Sequence, residues 1–255
     1  MRGNFRRISL RRRLIIDLMH ASRHVPFITL RRTISVATVA QARALADSPP
    51  GWAAIFTKAF CLVARDEPVF RQLHIRWPWP HFYELHRSVA SIAVARRDDG
   101  EDCVLMQTIR APEDRTLAEI HADLKNAGTA PAGSVAAFRR SLLISRFPLP
   151  LRRLIWWIGL NIGRQRGNHF GNLGVTSVSA FGPGELHALS PGPFILSYGV
   201  VDTDHRVDVV IRWDHNVTDA AQIAALLTRL ERVLNGAIAD EIRASAEARA
   251  ATSPT

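Results

Sequence analysis

Val207-Asp208-Val209-Val210-Ile211-Arg212-Trp213-Asp214-His215-Asn216-Val217-Thr218-Asp219-Ala220 is the stretch on which the reading of this chain turns. Val207, Val209, Ile211 and Trp213 alternate with Asp208 and Arg212, the two-residue period of a strand with one buried face. From about Ala220 to Leu234, Ile223, Leu226, Leu227, Leu230, Val233 and Leu234 recur at helical spacing, and Gly236 reads as the stop. Between strand and helix, His215 sits on a rigid element at a sheet margin, and imidazole is the side chain best suited to move a proton near neutral pH. Asp219, four residues on at the helix start, can hold the intervening loop. Ten histidines make a His-x-x-x-Asp spacing common by chance. Asp219 followed by Gln222 also reads as a plain helix cap, and His215 as a hydrogen-bonded core histidine.

Upstream, residues 9–24 read as a helix with Leu10, Leu14, Leu18 and Ile15 on one side, closed by Pro26. Residues 27–36 read as a strand, 38–45 as a short helix ahead of the Ser48-Pro49-Pro50-Gly51 turn, and 52–64 as a buried helix carrying Phe56, Phe60 and Val63. Residues 83–96 and 103–109 read as strands joined by Arg97-Asp98-Asp99-Gly100, whose Asp-Gly corner suits a hairpin. Thr116-Leu117-Ala118-Glu119 is a capping box that starts a helix. Residues 127–134 read as a loop. An apolar, arginine-studded stretch to Ile162 reads as helix broken by Pro148 and Pro150. The glycine-rich run 163–174 reads as a lead into strands at 175–181 and 194–201.

The 255 residues are 47% hydrophobic and 22% charged, which suits a globular chain and excludes disorder, collagen-like repeats and a disulfide scaffold. One domain over residues 1–243 is expected, with a frayed tail at 244–255. Cys61 and Cys103 follow no metal-ligand spacing, so both read as packing residues and no metal is expected. Two thiols suit a reducing compartment, and a cytoplasmic protein is the expectation. Thirty-three basic residues against 23 acidic ones give +10. Only Lys58 and Lys125 are lysines, and the arginines are densest at Arg2, Arg6, Arg7, Arg11, Arg12 and Arg13. No interleaving of aromatic and basic residues is visible, so no nucleic-acid partner is expected, whereas small anionic ligands fit. Leu14-Ile15-Ile16 is broken by Asp17, unlike a signal peptide's apolar core.

Asp214-His215-x-Val217-x-Asp219, between an alternating strand and an apolar helix, resembles the catalytic domain of the dihydrolipoamide acyltransferases of 2-oxoacid dehydrogenase complexes, relatives of chloramphenicol acetyltransferase. The resemblance runs from about Ser9 to Leu234 in collinear order. Arg12-Arg13 with Met19, Ser22, Val25 and Pro26 resembles the opening helix and the strand after it. Val89-Ala90-Ser91-Ile92-Ala93-Val94-Ala95 resembles the central strand. Ile109-Arg110 with the Thr116 capping box resembles the arginine, turn and capped helix. Gly174-Val175-Thr176-Ser177-Val178, Phe181-Gly182 and Phe194-Ile195-Leu196-Ser197-Tyr198-Gly199 resemble the strand, glycine turn and buried strand. Ala220 stands where the family has glycine, Asn216 where it has arginine, and Leu105-Met106-Gln107 where it has proline.

The resemblance implies an α/β chloramphenicol acetyltransferase-like two-layer sandwich, a mixed β-sheet covered by helices. It implies an acyltransferase with His215 as general base, Asp219 as the carboxylate that orients it, and Thr176 as the hydroxyl on the oxyanion, with Ser177 one position away as the second candidate. It implies coenzyme A as the thioester carrier and a homotrimer with active sites between subunits. The 255 residues hold no lipoyl domain or peripheral-subunit-binding domain, so a stand-alone acyltransferase with no lipoyl group is expected. The alternative is a catalytically silent assembly or regulatory subunit. Residues 147–160 read as a helix covering the sheet or a subunit contact, or else as a membrane or long-acyl-chain contact. Trp77-Pro78-Trp79-Pro80 reads as a stiff loop that shapes an acceptor pocket or a plain surface turn.

Overall fold

A computed structural model describes residues 7–252. Arg2 and Arg6 of the basic cluster and residues 253–255 of the tail lie outside the described residues. α1 (Leu10–Ser22) opens on Ser9, whose hydroxyl accepts the Arg12 amide at 3.1 Å. There follow β1 (Phe27–Ser35), α2 (Ala37–Ala44), α3 (Trp52–Asp66), β2 (Gln72–Ile75), β3 (His81–Glu84), β4 (Val89–Asp98) and β5 (Glu101–Arg110). Next come α4 (Leu117–Thr129), α5 (Ala136–Arg146), α6 (Leu149–Asn161), α7 (Gly163–Phe170), β6 (Leu173–Ser177), β7 (Phe194–Tyr198), β8 (Arg206–Asp214), α8 (Ala220–Val233) and α9 (Ala239–Thr252). β2 and β3 pair as a small separate sheet.

The main sheet has six strands in the order β1-β8-β7-β6-β4-β5. β6 runs parallel to β4 and β7, and the remaining neighbours are antiparallel. On one face Ile34, Val175, Leu196, Val209, Ile211 and Trp213 pack on Phe56 and Phe60 of α3 and on Ile223 and Leu227 of α8. The alternation in residues 207–213 thus does bury one face, and the expected mixed sheet covered by helices is present. Over β4 and β5 the other face is covered too, by α1, α5, α6 and α7. Asp99 and Gly100 take φ of 52° and 76° at the β4–β5 corner, the left-handed pair that an Asp-Gly hairpin turn requires.

Asp17, which breaks the apolar run of α1, is buried against α6, with Arg152 Nε 2.9 Å from its Oδ2 and Arg153 Nη1 3.7 Å from Oδ1. This ion pair ties α6 to α1. Pro148 caps α6 and Pro150 lies in its first turn, where no amide donor is needed, so the helix breaks at the two prolines as the sequence suggests. Arg152, Trp156 and Gly159 face inward, while Leu149, Leu151, Leu154 and Trp157 are exposed. The expected inward-facing helix is therefore present with an apolar outer side. Trp77 packs on Trp157 with ring centroids 5.5 Å apart.

Four readings need correction. The 83–96 run is broken at residues 85–88, because Arg71 binds the Leu85 carbonyl at 2.9 Å and buried Glu113 accepts the Ser88 amide at 2.8 Å, turning β3 away from β4. The glycine-rich run 163–174 is mostly helix. A Cβ on Gly163 would sit 2.3 Å from the Tyr83 ring and one on Gly167 2.5 Å from Leu85, so these glycines let α7 approach the chain around β3 closely. Gly171, at φ 71°, ends α7 where a Cβ would meet the Val89 carbonyl oxygen at 2.0 Å.

Gly236 does not stop the last helix. The chain passes through a π-helical turn, Leu234–Ile238, held by Asn235 donating to the Ser35 carbonyl at 2.7 Å and accepting the Thr38 amide at 3.0 Å. Nor does the chain fray after Arg243: helix α9 runs to Thr252. Ile238 and Ile242 are buried, and Glu241 pairs with Lys58 and accepts the Leu117 amide at 2.7 Å. These contacts tie the start of α9 to the core.

Replacing Asp17 by Ala strands the buried Arg152 guanidinium. It should lower stability by about 3 kcal/mol, read as a fall in the urea midpoint.

Candidate active site

The segment after β8 is built around one carbonyl. Thr218 O accepts the Trp213 indole N–H at 2.9 Å and stands 3.1 Å from His215 Nδ1. Trp213 is fixed in the core, so this carbonyl is fixed as well. It selects the tautomer with hydrogen on Nδ1 and leaves Nε2 as the acceptor. The His215 amide donates to Pro26 O at 3.1 Å, which ties the turn to the chain between α1 and β1. The imidazole remains 45% exposed and is therefore accessible.

Asp219 stands at the expected place with a different weight. Its Oδ1 is 3.7 Å from His215 Nδ1, beyond hydrogen-bond length, and the carboxylate is 83% exposed. It occupies the N-cap position of α8, with its carbonyl accepting the Gln222 amide at 3.1 Å, but its side chain makes no cap hydrogen bond. Gln222 instead accepts from the Thr218 hydroxyl. Sequence reasoning missed Thr218 because a main-chain carbonyl leaves no residue-type signal. Asp214, part of the motif but given no role from sequence, is buried and accepts from the Asn216 amide at 3.0 Å and from its side chain at 2.8 Å. Asn216, where the resembled family has arginine, thus satisfies Asp214 and shapes the turn.

The two hydroxyl candidates differ. Ser177 Oγ donates to Tyr198 O at 2.7 Å and accepts the Ser179 amide at 3.0 Å, so it is occupied. Thr176 is half-buried, and its hydroxyl makes no hydrogen bond among the described residues. Neither meets His215 within one chain. Thr176 pairs with Ser197 and Ser197 with Val210, which lies five residues before His215. At about 3.3 Å per residue the separation is roughly 16 Å along the strand.

Beside the His215 turn lies a cavity of about 580 Å³ lined by His24, His74, Arg76, Arg166 and Asp214 among others. Arg166 is buried and donates only to main-chain carbonyls, of His74 at 2.6 Å and of Pro191 at 2.7 Å, and its Nε has no partner. Burial pushes its pKa down to about 10 and holds His74 below the ordinary histidine value. Arg76 donates to the His24 carbonyl. Asp214 is the one carboxylate in this wall among the described residues, so the cavity favours an anion.

A mixed six-stranded sheet with a histidine on the turn between its last strand and the following helix defines an α/β chain of the dihydrolipoamide acyltransferase and chloramphenicol acetyltransferase fold. The cubic core of the pyruvate dehydrogenase multienzyme complex superposes with a TM-score of 0.65 at 15% identity, over 92% of this chain and 94% of that one. Azotobacter vinelandii dihydrolipoamide acetyltransferase gives 0.63 at 14% identity, over 92% and 94%. Chloramphenicol acetyltransferase gives 0.50 at 12%, over 89% and 96%. No protein-family model and no curated protein matches the chain in sequence.

Ser177→Ala removes the hydroxyl that bonds the Tyr198 carbonyl, the Ser179 amide and the Ser179 hydroxyl and should cost about 1–2 kcal/mol of stability, whereas Thr176→Ala removes no hydrogen bond. Denaturant titration of the two variants should show the larger midpoint shift for Ser177→Ala.

Proposed function

We propose that the chain is an acyltransferase that moves an acyl group between coenzyme A, or a carrier thioester, and a thiol, hydroxyl or amine acceptor. The supporting observation is the accessible His215 ring, held at Nδ1 by the Thr218 carbonyl so that Nε2 is free to accept a proton. In the Azotobacter vinelandii neighbour, a serine, a histidine and an asparagine four residues beyond the histidine are the residues whose catalytic role was investigated. His215 and Asp219 stand at that spacing here.

His215 Nε2 takes the proton of the attacking group as that group bonds to the thioester carbonyl carbon. The carbonyl oxygen becomes negative and accepts from the Thr176 hydroxyl of a second copy. Collapse breaks the carbon–sulfur bond, and the leaving thiolate takes back the proton from the imidazolium. The arginine-walled cavity beside this turn suits the phosphates of coenzyme A. Because Thr176 and His215 of one chain are far apart, the reading requires an assembly, and the homotrimer that the sequence resemblance implies is proposed.

His215→Ala should lower acyl transfer from acyl-CoA, followed by thiol release, at least about a hundredfold with an unchanged circular dichroism spectrum. A fully active variant removes the assignment. Wild-type protein that transfers no acyl group from any thioester in a chain-length series favours a silent subunit.

A further inference from the structure

A second cavity, of about 520 Å³, lies between α1, α5, α6 and α7 and the sheet face opposite the main core. Leu14 and Leu18 of α1, Ile144 of α5, Ile155 and Trp156 of α6, and Phe170 supply an apolar wall. The Trp156 and Phe170 rings pack at a tilt of 31° with centroids 5.1 Å apart. Ser91 of β4 and Thr108 of β5, cross-strand partners, form the floor. Exposed Arg110 and Arg140 stand at the rim, Arg140 3.0 Å from His169 Nδ1, and no carboxylate lines the space among the described residues. Native interiors keep few spaces of this size, and a largely apolar cleft of several hundred Å³ is the usual form of a small-molecule site.

Its location ties it to the reaction. Ser91 lies beside Gly174 in the parallel β4–β6 pair, and Gly174 and Thr176 point to the same sheet face. One strand spacing and two residues therefore separate the floor from the Thr176 hydroxyl, roughly 8 Å. That is within reach of an alkyl chain whose carbonyl sits at Thr176, and out of reach of an acetyl group.

Building on the acyltransferase reading, we propose that this cavity receives the alkyl tail of a medium- or long-chain acyl group. Gly159 and Ala137 also line the cavity, and a side chain on Gly159 has ordinary room, with its Cβ 3.8 Å from Phe170. Gly159→Leu and Ala137→Phe therefore fill the space from two separate helices.

The test is calorimetric titration of the full-length chain with dodecanoate and with acetate, together with transfer assays on dodecanoyl-CoA and acetyl-CoA. Dodecanoate should bind and acetate should not. Each filling variant should weaken dodecanoate binding tenfold or more. Dodecanoate binding that both filling variants leave intact, or no dodecanoate binding by a chain that transfers acetyl groups, overturns the cavity assignment and spares the acyltransferase reading. Dodecanoate binding that is lost in the filling variants, by a chain that transfers neither acyl group, retains the cavity as an alkyl-chain site and removes the acyltransferase reading.

Discussion

β7 pairs in parallel with β6 on one side and antiparallel with β8 on the other, so β6 and β8 run in opposite directions. Thr176 lies near the end of β6 and His215 just past the end of β8, so these two groups sit at opposite margins of the sheet. A slip of one residue would turn Val209, Ile211 and Trp213 out of the core, so burial locks the register that sets this separation. A site that uses both groups must therefore be closed by a second copy. The same register carries Trp213 to the place where its indole N–H fixes the Thr218 carbonyl, and that carbonyl orients the imidazole.

Most of the sheet was legible because its strands follow simple rules. The β8 alternation, the Asp-Gly corner after β4 and the Thr116 capping box each arise from local chemistry, and each stands where the residues indicate. The failures have a common physical origin in long-range contacts. Gly163 and Gly167 read as part of a glycine-rich lead into strands because glycine is a poor helix former, yet packing against Tyr83 and Leu85 requires the missing side chains. Gly236 read as a stop, yet buried Ile238 and Ile242 carry the helix onward.

The candidate site was legible only in part. His215 and Asp219 declare themselves by type and spacing, but their relative weight depends on a backbone oxygen that no residue type announces. Thr176 is the first candidate by resemblance and Ser177 the second, and the hydrogen bonds of Ser177 add a structural distinction between them. The anion-favouring cavity gathers Arg76, Arg166 and Asp214 from distant parts of the chain. Buried Asp17, which looked like a simple interruption of an apolar run, instead anchors the helix that roofs the apolar cavity.

The most direct measurement is acyl transfer by mixed assemblies. His215→Ala and Thr176→Ala chains, each inactive alone, are refolded together and assayed beside each parent. If every site takes its histidine from one chain and its hydroxyl from the next, random mixing restores roughly a quarter of wild-type activity, because that share of interfaces carries both intact groups. Mixtures no more active than either parent would contradict the account.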